Sequence, residues 1–296
     1  VSSPVNEGDV LAGKYRVERV LGIGGMGVVV AAMHLELDQR VALKFLLPEA
    51  AANVEIVERF AREARAAAKI QSEHVARVID VGKLDSGLPY MVMEYLHGSD
   101  LSAVLQRHGQ LPIGEALDYV LQACEAIAQA HALGIVHRDL KPANLYLTTR
   151  PDGSKSVKVL DFGISKMTLA GSNADMSLTK TASVMGSPLY MSPEQMRSTR
   201  TVDARTDVWA LGAILFELLT GQTPFSGDSM PELFAMILTE APPLLRSLRG
   251  DAPPEVEVAV QRCLQKRPED RFANVADFAS ALVDFAPKHA RLSAER

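Results

Sequence analysis

Five polar groups stand within the eight residues His137-Arg138-Asp139-Leu140-Lys141-Pro142-Ala143-Asn144, between the apolar runs 134–136 and 145–147. A turn with such flanks is drawn towards the interior, where every charge needs a partner. Asp139 and Asn144 are oxygen donors, Lys141 is a compact cation, and Arg138 carries a planar fork that can grip a phosphate through two hydrogen bonds. That set suits an anion and a hard cation better than a solvated turn. A second carboxylate, Asp161, closes the strand-like run 156–160 and precedes Phe162-Gly163. A carboxylate at a strand end suits a divalent cation with oxygen ligands. The Asp-Phe-Gly triplet alone says little, because Asp-Xaa-Gly occurs in many turns.

Two further groupings point to phosphate. Gly22, Gly24 and Gly27 in GIGGMGVV have the GxGxxG spacing. A dinucleotide fold needs a helix after the last glycine. Here VVVAA follows, which is β-branched and strand-like, so the glycines sit on a hairpin whose backbone N–H groups can approach an anion. In RVALKFL, strand alternation puts Ala42, Lys44 and Leu46 on one face and Val41, Leu43 and Phe45 on the other, core face. On a helical wheel of 54–70, Ile56, Phe60, Ala64, Ala67 and Ile70 form the apolar arc, and Glu55, Glu58, Arg59, Arg62, Arg65 and Lys69 lie opposite. Glu63 falls inside the apolar arc and needs a cation there, which Lys44 of the preceding strand can supply.

The elements that hold these groups follow from periodicity. Residues 14 to about 93 are mostly strand-like, interrupted by the helix near 54–70. After about 99 helical patterns dominate, at 116–134, 207–221, 231–239, 254–265 and 274–285. The expected architecture is α+β and two-lobed, with a small β-rich N-lobe carrying one main helix, a larger helical C-lobe, and a cleft between them. Residues 1–13 read as a polar leader, 14–93 as the N-lobe, 94–98 as a hinge, 99–286 as the C-lobe and 287–296 as a polar tail or linker. The segment 168–187, rich in Ser, Thr, Gly and Asn, reads as a long functional loop.

The chain has 296 residues, 47% hydrophobic and 23% charged, an ordinary globular composition large enough for a substantial core. A net charge of −5 argues against a general nucleic-acid surface. Two cysteines are too few for a disulfide framework. No apolar run reaches membrane-spanning length, and the start lacks signal-peptide character, so no membrane contact is expected within this chain. The expected location is cytoplasmic, with allowance for a longer membrane-anchored protein.

In chain order, GIGGMGVV (22–29), VALK (41–44), Glu63, HRDLKPAN (137–144), DFG (161–163), GSPLYMSPE (186–194), DVWALG (207–212) and KRPEDRF (266–272) resemble the signature set of eukaryotic-type protein kinases. Lys141, two residues after Asp139, resembles the serine/threonine branch, and the wording resembles the bacterial, PknB-like Hanks-type kinases. The resemblance implies ATP as phosphoryl donor, Mg²⁺ (or Mn²⁺) as metal, and proteins as substrates. It assigns Asp139 to the substrate hydroxyl, Lys141 to the transferring phosphate, Lys44, kept in place by Glu63, to the α- and β-phosphates, and Asn144 and Asp161 to the metal. Backbone around Gly22, Gly24, Gly25, Met26 and Gly27 covers the phosphates. Leu21, Val29, Ala42 and Tyr146 surround adenine, Met93 is the gatekeeper, and the backbone of Glu94 and Leu96 meets the purine edge. Tyr146 departs from the usual Leu or Met and either stacks on adenine or turns away. Thr179 and Thr181 match the autophosphorylated pair, which suits a homodimer phosphorylating in trans. Glu194 is expected to pair with Arg271. The competing readings are a nucleotide-binding pseudokinase scaffold and a small-molecule kinase. A scaffold usually lacks Lys44, Asp139 or Asp161, and all three are present.

Overall fold

The computed structural model describes residues 5–24, 27–84, 87–162, 188–197 and 202–296. They form two units. The first comprises the residues up to Gln71 together with Ala76–His97; the second comprises Ser72–Val75 and the described residues from Gly98 onward.

The first unit is built on an antiparallel sheet of β1 (Val10–Leu11), β2 (Tyr15–Ile23), β3 (Gly27–His34), β4 (Gln39–Leu46), β5 (Val78–Lys83) and β6 (Pro89–Glu94), in the order β1-β2-β3-β4-β6-β5. Alternation works as the sequence demands. Val41, Leu43 and Phe45 of β4 join Val28, Val30, Tyr90 and Val92 in one core. The opposite face is also covered: Leu46 and Met91 pack on Phe60 and Ala64 of α2 (Val54–Ala67), which follows the one-turn α1 (Pro48–Ala51). Asn53 caps α2 by accepting from the Glu55 N–H at 2.9 Å, which satisfies one orphan donor of the first turn. The segment read as a polar leader is in part anchored. Val5 is buried in the sheet's core and β1 pairs with β2, because a few apolar residues suffice to hold an otherwise polar stretch.

The second unit combines a three-stranded antiparallel sheet, β7 (Gly98–Asp100), β8 (Leu145–Thr149) and β9 (Lys155–Val159), with helices. These are α3 (Leu101–His108), α4 (Ile113–Ala132), α5 (Pro193–Arg197), α6 (Arg205–Thr220), α7 (Met230–Thr239), α8 (Leu245–Leu248), α9 (Pro254–Cys263), α10 (Val275–Leu282) and α11 (Arg291–Glu295). Almost every residue of α6 from Thr206 to Leu219 is buried, so it is apolar all round and forms the axis on which α4 and α9 pack. Their approach needs Gly212, since a Cβ there would overlap the Cys263 side chain. Gly212→Ala is therefore expected to destabilise the chain by about 1–3 kcal/mol, read as a lowered urea midpoint, despite the better helix propensity of alanine. The polar tail is structured too, as a turn at Lys288–Ala290 followed by α11, which packs on α4.

Both cysteines, Cys124 and Cys263, are free and buried. No helix among the described residues is long and apolar enough to cross a membrane.

Candidate active site

In the first unit the sheet register collects the predicted residues. Val29 lies opposite Lys44, which lies opposite Met91; Ala31, Ala42 and Met93 form the next row. Paired residues share a face, so Val29, Ala42, Lys44 and Met93 occupy the same face of the sheet, the one that carries α2. Lys44 Nζ meets Glu63 Oε1 at 3.2 Å, and Glu63 is 8% exposed. Leu21 sits at an irregularity in the β2–β3 register, between the Val20 and Gly22 pairs. The Gly24 N–H donates to the Gly27 carbonyl at 2.8 Å, which closes the hairpin. Of these glycines, Gly27 is the one bound by packing: a Cβ there would lie 2.7 Å from the Phe45 carbonyl oxygen. Gly22 faces open space, so its freedom serves approach rather than packing. The Glu94 backbone N–H already donates to the Arg77 carbonyl, and its carboxylate accepts from the Arg77 N–H. Leu96 is half-buried. Gly25 and Met26 lie outside the described residues.

Arg59 departs from its expected place opposite the apolar arc. It is 6% exposed and its Nε has no hydrogen-bond partner among the described residues. One turn before Glu63, it lies only about 40° round the helix from that residue, at the edge of the buried arc.

In the second unit the stretch 137–144 is braced from within. His137 is fully buried; its Nε2–H donates to the Leu160 carbonyl at 2.9 Å, and its Nδ1 accepts from the Asp139 N–H at 3.2 Å. That pattern requires the neutral imidazole, and burial pushes its pKa down, in agreement. The Asp139 carboxylate is 3.3 Å from Lys141 Nζ. Asn144 donates its amide to the Asp139 carbonyl at 2.7 Å, which leaves Oδ1 as its acceptor. The Leu160 N–H donates to the Asn144 carbonyl at 2.9 Å, and the rings of His137 and Phe162 lie 4.8 Å apart. Asp161 is thereby held beside the 137–144 stretch. Arg138 and Asp161 both adopt left-handed φ, at 64° and 49°, a strain that non-glycine residues sustain where surrounding contacts over-determine them. The Tyr146 hydroxyl donates to the Gly98 carbonyl at 2.9 Å.

Asp207, at the start of α6, was not singled out by sequence. It is fully buried and accepts three hydrogen bonds, from the N–H groups of His137 (2.8 Å) and Arg138 (2.9 Å) and from His131 Nε2 (2.8 Å). Gln195 adds a bond to the Arg138 carbonyl at 2.8 Å. The available signal was an acid opening an otherwise apolar helix, DVWALG. Asp207→Ala leaves the buried His137 N–H and the part-buried Arg138 N–H without an acceptor. It is expected to cost about 2–4 kcal/mol in denaturant unfolding and to lower any activity of the site with it.

Arg138 itself is under-partnered. Its Nη1 is buried with no hydrogen-bond partner among the described residues, and Nη2 reaches only the Val202 carbonyl at 3.4 Å. Burial pushes its pKa down, with Asp207 opposing.

A family model described as "Protein kinase domain" matches residues 15–287. The chain belongs to the protein kinase family. It is 40% identical over 277 residues to serine/threonine-protein kinase pkn3 of Myxococcus xanthus, covering 93% of this chain and 50% of that one. Over 276 residues it is 37% identical to serine/threonine-protein kinase PknB of Mycolicibacterium smegmatis, covering 92% and 43%. The crystal structure of the Mycobacterium tuberculosis PknI kinase domain superposes with a TM-score of 0.71 at 31% identity, covering 95% of this chain and 100% of that one. The chain spans half or less of the length of these curated relatives. The fold is the kinase fold, with a β-sheet N-terminal lobe and a helical C-terminal part. Kinases of this family use ATP and a divalent metal, and the donors here fit such an ion. Asn144 Oδ1 and the Asp161 carboxylate are hard oxygen ligands of the kind Mg²⁺ takes.

Proposed function

We propose that this kinase domain transfers the γ-phosphoryl group of ATP to serine and threonine hydroxyls of proteins. The carrying observation is the braced stretch 137–144, in which Asp139, Lys141 and Asn144 are held against one another and Leu160 is bonded back to Asn144. The substrate hydroxyl oxygen forms a bond to the γ-phosphorus while the bond from that phosphorus to the β–γ bridging oxygen breaks and ADP leaves. Asp139 orients the hydroxyl and accepts its proton. Lys141 offsets the charge spread over the transferring oxygens, a role for a positioned point charge rather than for covalent chemistry. Lys44, held by Glu63, positions the α- and β-phosphates. Asn144 and Asp161 would hold Mg²⁺, with Mn²⁺ as an alternative, and the ion would supply charge neutralisation at the phosphates. Leu21, Val29, Ala42, Met93, Tyr146 and the backbone of Glu94 and Leu96 receive the adenine. With its hydroxyl bonded to the Gly98 carbonyl, the ring of Tyr146 has a fixed direction.

The substrate class favoured is protein, and control is by autophosphorylation at Thr179 and Thr181, which lie outside the described residues. The support is Arg138, a half-buried guanidinium whose Nη1 has no hydrogen-bond partner among the described residues, a gap that an added phosphate would fill. Two free, buried cysteines suit a reducing cytoplasmic setting. Intact-mass spectrometry after incubation with Mg·ATP tests the activity: phosphate adds to the wild type and not to Asp139→Asn. Phosphopeptide mapping that finds both threonines unmodified in active protein would remove the regulatory part. A phosphorylation rate per molecule that rises with concentration supports transfer between two copies.

A further inference from the structure

Behind β9 lies a second polar cluster, in the second unit and outside the site described above. Glu73 and His74 come from the short segment Ser72–Val75, and Glu125 from α4. One ligating atom from each lies within 4.8 Å of the other two, the one such trio of His, Cys, Asp or Glu among the described residues. His74 and Glu125 are 1% and 4% exposed.

The hydrogen bonding fixes what faces what. His74 Nδ1 is 2.8 Å from the Val157 carbonyl, which can only accept, so Nδ1 carries the proton. Nε2 then faces Glu125 Oε2, 3.6 Å away, and is an acceptor in the neutral ring, the form that burial favours. That oxygen is buried and has no hydrogen-bond partner among the described residues. Two acceptors thus confront one another out of water, an arrangement that a cation between them relieves. The spacing is close to that of two ligands on a tetrahedral zinc, about 3.3 Å for bonds of about 2.0–2.1 Å. The Nδ1–H bond to a backbone carbonyl is the support that metal-binding imidazoles ordinarily have. Glu73, at the exposed mouth, completes a His-Glu-Glu set.

The carboxylates already attract guanidinium groups. Arg296 Nη1 lies 2.6 Å from Glu73 Oε1 and 3.4 Å from Glu125 Oε1, and Arg150 Nη2 lies 2.9 Å from Glu73 Oε2. We infer that Glu73, His74 and Glu125 form a binding site for a divalent transition-metal ion of the zinc class, and that this ion competes with Arg296 for the two carboxylates. One imidazole with two carboxylates selects zinc-like ions over Mg²⁺, which favours all-oxygen sets. Metal binding therefore releases the segment 291–296 from its hold on Glu73. The site lies next to the catalytic half of the fold through β9: the Val159 N–H donates to the His74 carbonyl, and the strand leads directly to Asp161.

Calorimetric titration with ZnCl₂, in millimolar MgCl₂ and without nucleotide, tests this. The wild-type chain binds one equivalent, and Glu125→Gln and His74→Gln weaken binding by about ten-fold or more. Arg296→Ala tightens it several-fold, since the competing cation is gone. Arg296 is half-exposed, and a damaged fold does not tighten a metal site, so this variant keeps the test decisive if the buried substitutions unfold the chain. Absence of Zn²⁺ binding overturns the proposal, as does equal binding by every variant, which means an adventitious ion only. Unchanged affinity in Arg296→Ala overturns the competition.

Discussion

Asp139→Asn is expected to leave the kinase folded and to lower its turnover by about 10²–10⁴-fold, the range for loss of a positioned proton acceptor. The substitution is nearly isosteric. The Asp139 backbone N–H still reaches His137 Nδ1, and its carbonyl still accepts from Asn144, so the main-chain brace survives. What is lost is the acceptor for the hydroxyl proton and the negative partner 3.3 Å from Lys141. ATP affinity changes little, because Asp139 is assigned to the hydroxyl rather than to the nucleotide. Steady-state phosphorylation of a protein substrate, beside a thermal melt, checks both halves. A loss under ten-fold with an unchanged melt would show that the proton goes elsewhere. A large loss with a collapsed melt would show that Asp139 acts through the fold.

Arg271→Ala is expected to cost about 3–5 kcal/mol of folding free energy, the largest stability effect of any single ion pair described here. The side chain of Arg271 is fully buried, and it binds Glu194 through two parallel bonds of 2.7 and 2.8 Å. Its remaining donor capacity goes to the carbonyls of Gln265 (2.8 Å), Arg205 (3.1 Å) and Lys266 (3.3 Å). The guanidinium also lies 5.0 Å from the ring centre of Trp209. Truncation leaves three carbonyls and a poorly exposed carboxylate without their donor. Arg267–Glu269 offers the contrast: it is as short, at 2.6 Å, but both side chains are more than half exposed. Solvent screening there leaves the pair contributing little to stability. Urea unfolding of Arg271→Ala and Arg267→Ala separates the cases, and similar small losses in both would show the buried network to be worth no more than a surface contact. Arg271→Lys is expected to rescue little, because one ammonium cannot reproduce the two-pronged bond to Glu194.

Much of the site was legible because its chemistry is local. The stretch 137–144 holds a carboxylate, two cations and an amide oxygen within one short segment, and the strand before Asp161 announces itself by composition. The Lys44–Glu63 pair was legible for a different reason: helical period puts Glu63 among apolar residues, and burial of a carboxylate demands a cation. Periodicity located α2, α4, α6, α9 and α10 to within a few residues. It failed for Arg59, because the wheel shows the helix's own stripes and not how wide a surface the neighbouring elements cover. It also overlooked Val5 and α11, whose polar surroundings outweigh a few anchoring side chains in any window average.

By itself, the sequence determined the family, the order and identity of the groups expected to act on ATP, and the type of most elements, since each depends on residue type and short-range spacing. The tertiary structure decided which buried polar groups satisfy one another. Asp207 meets His137 across 70 positions, and Glu125 meets Arg296 across 171. No local pattern encodes such pairings. They arise when packing removes water from α6, α4 and the carboxy-terminal residues, and each group left inside must find its partner among whatever the fold has brought within about 3 Å.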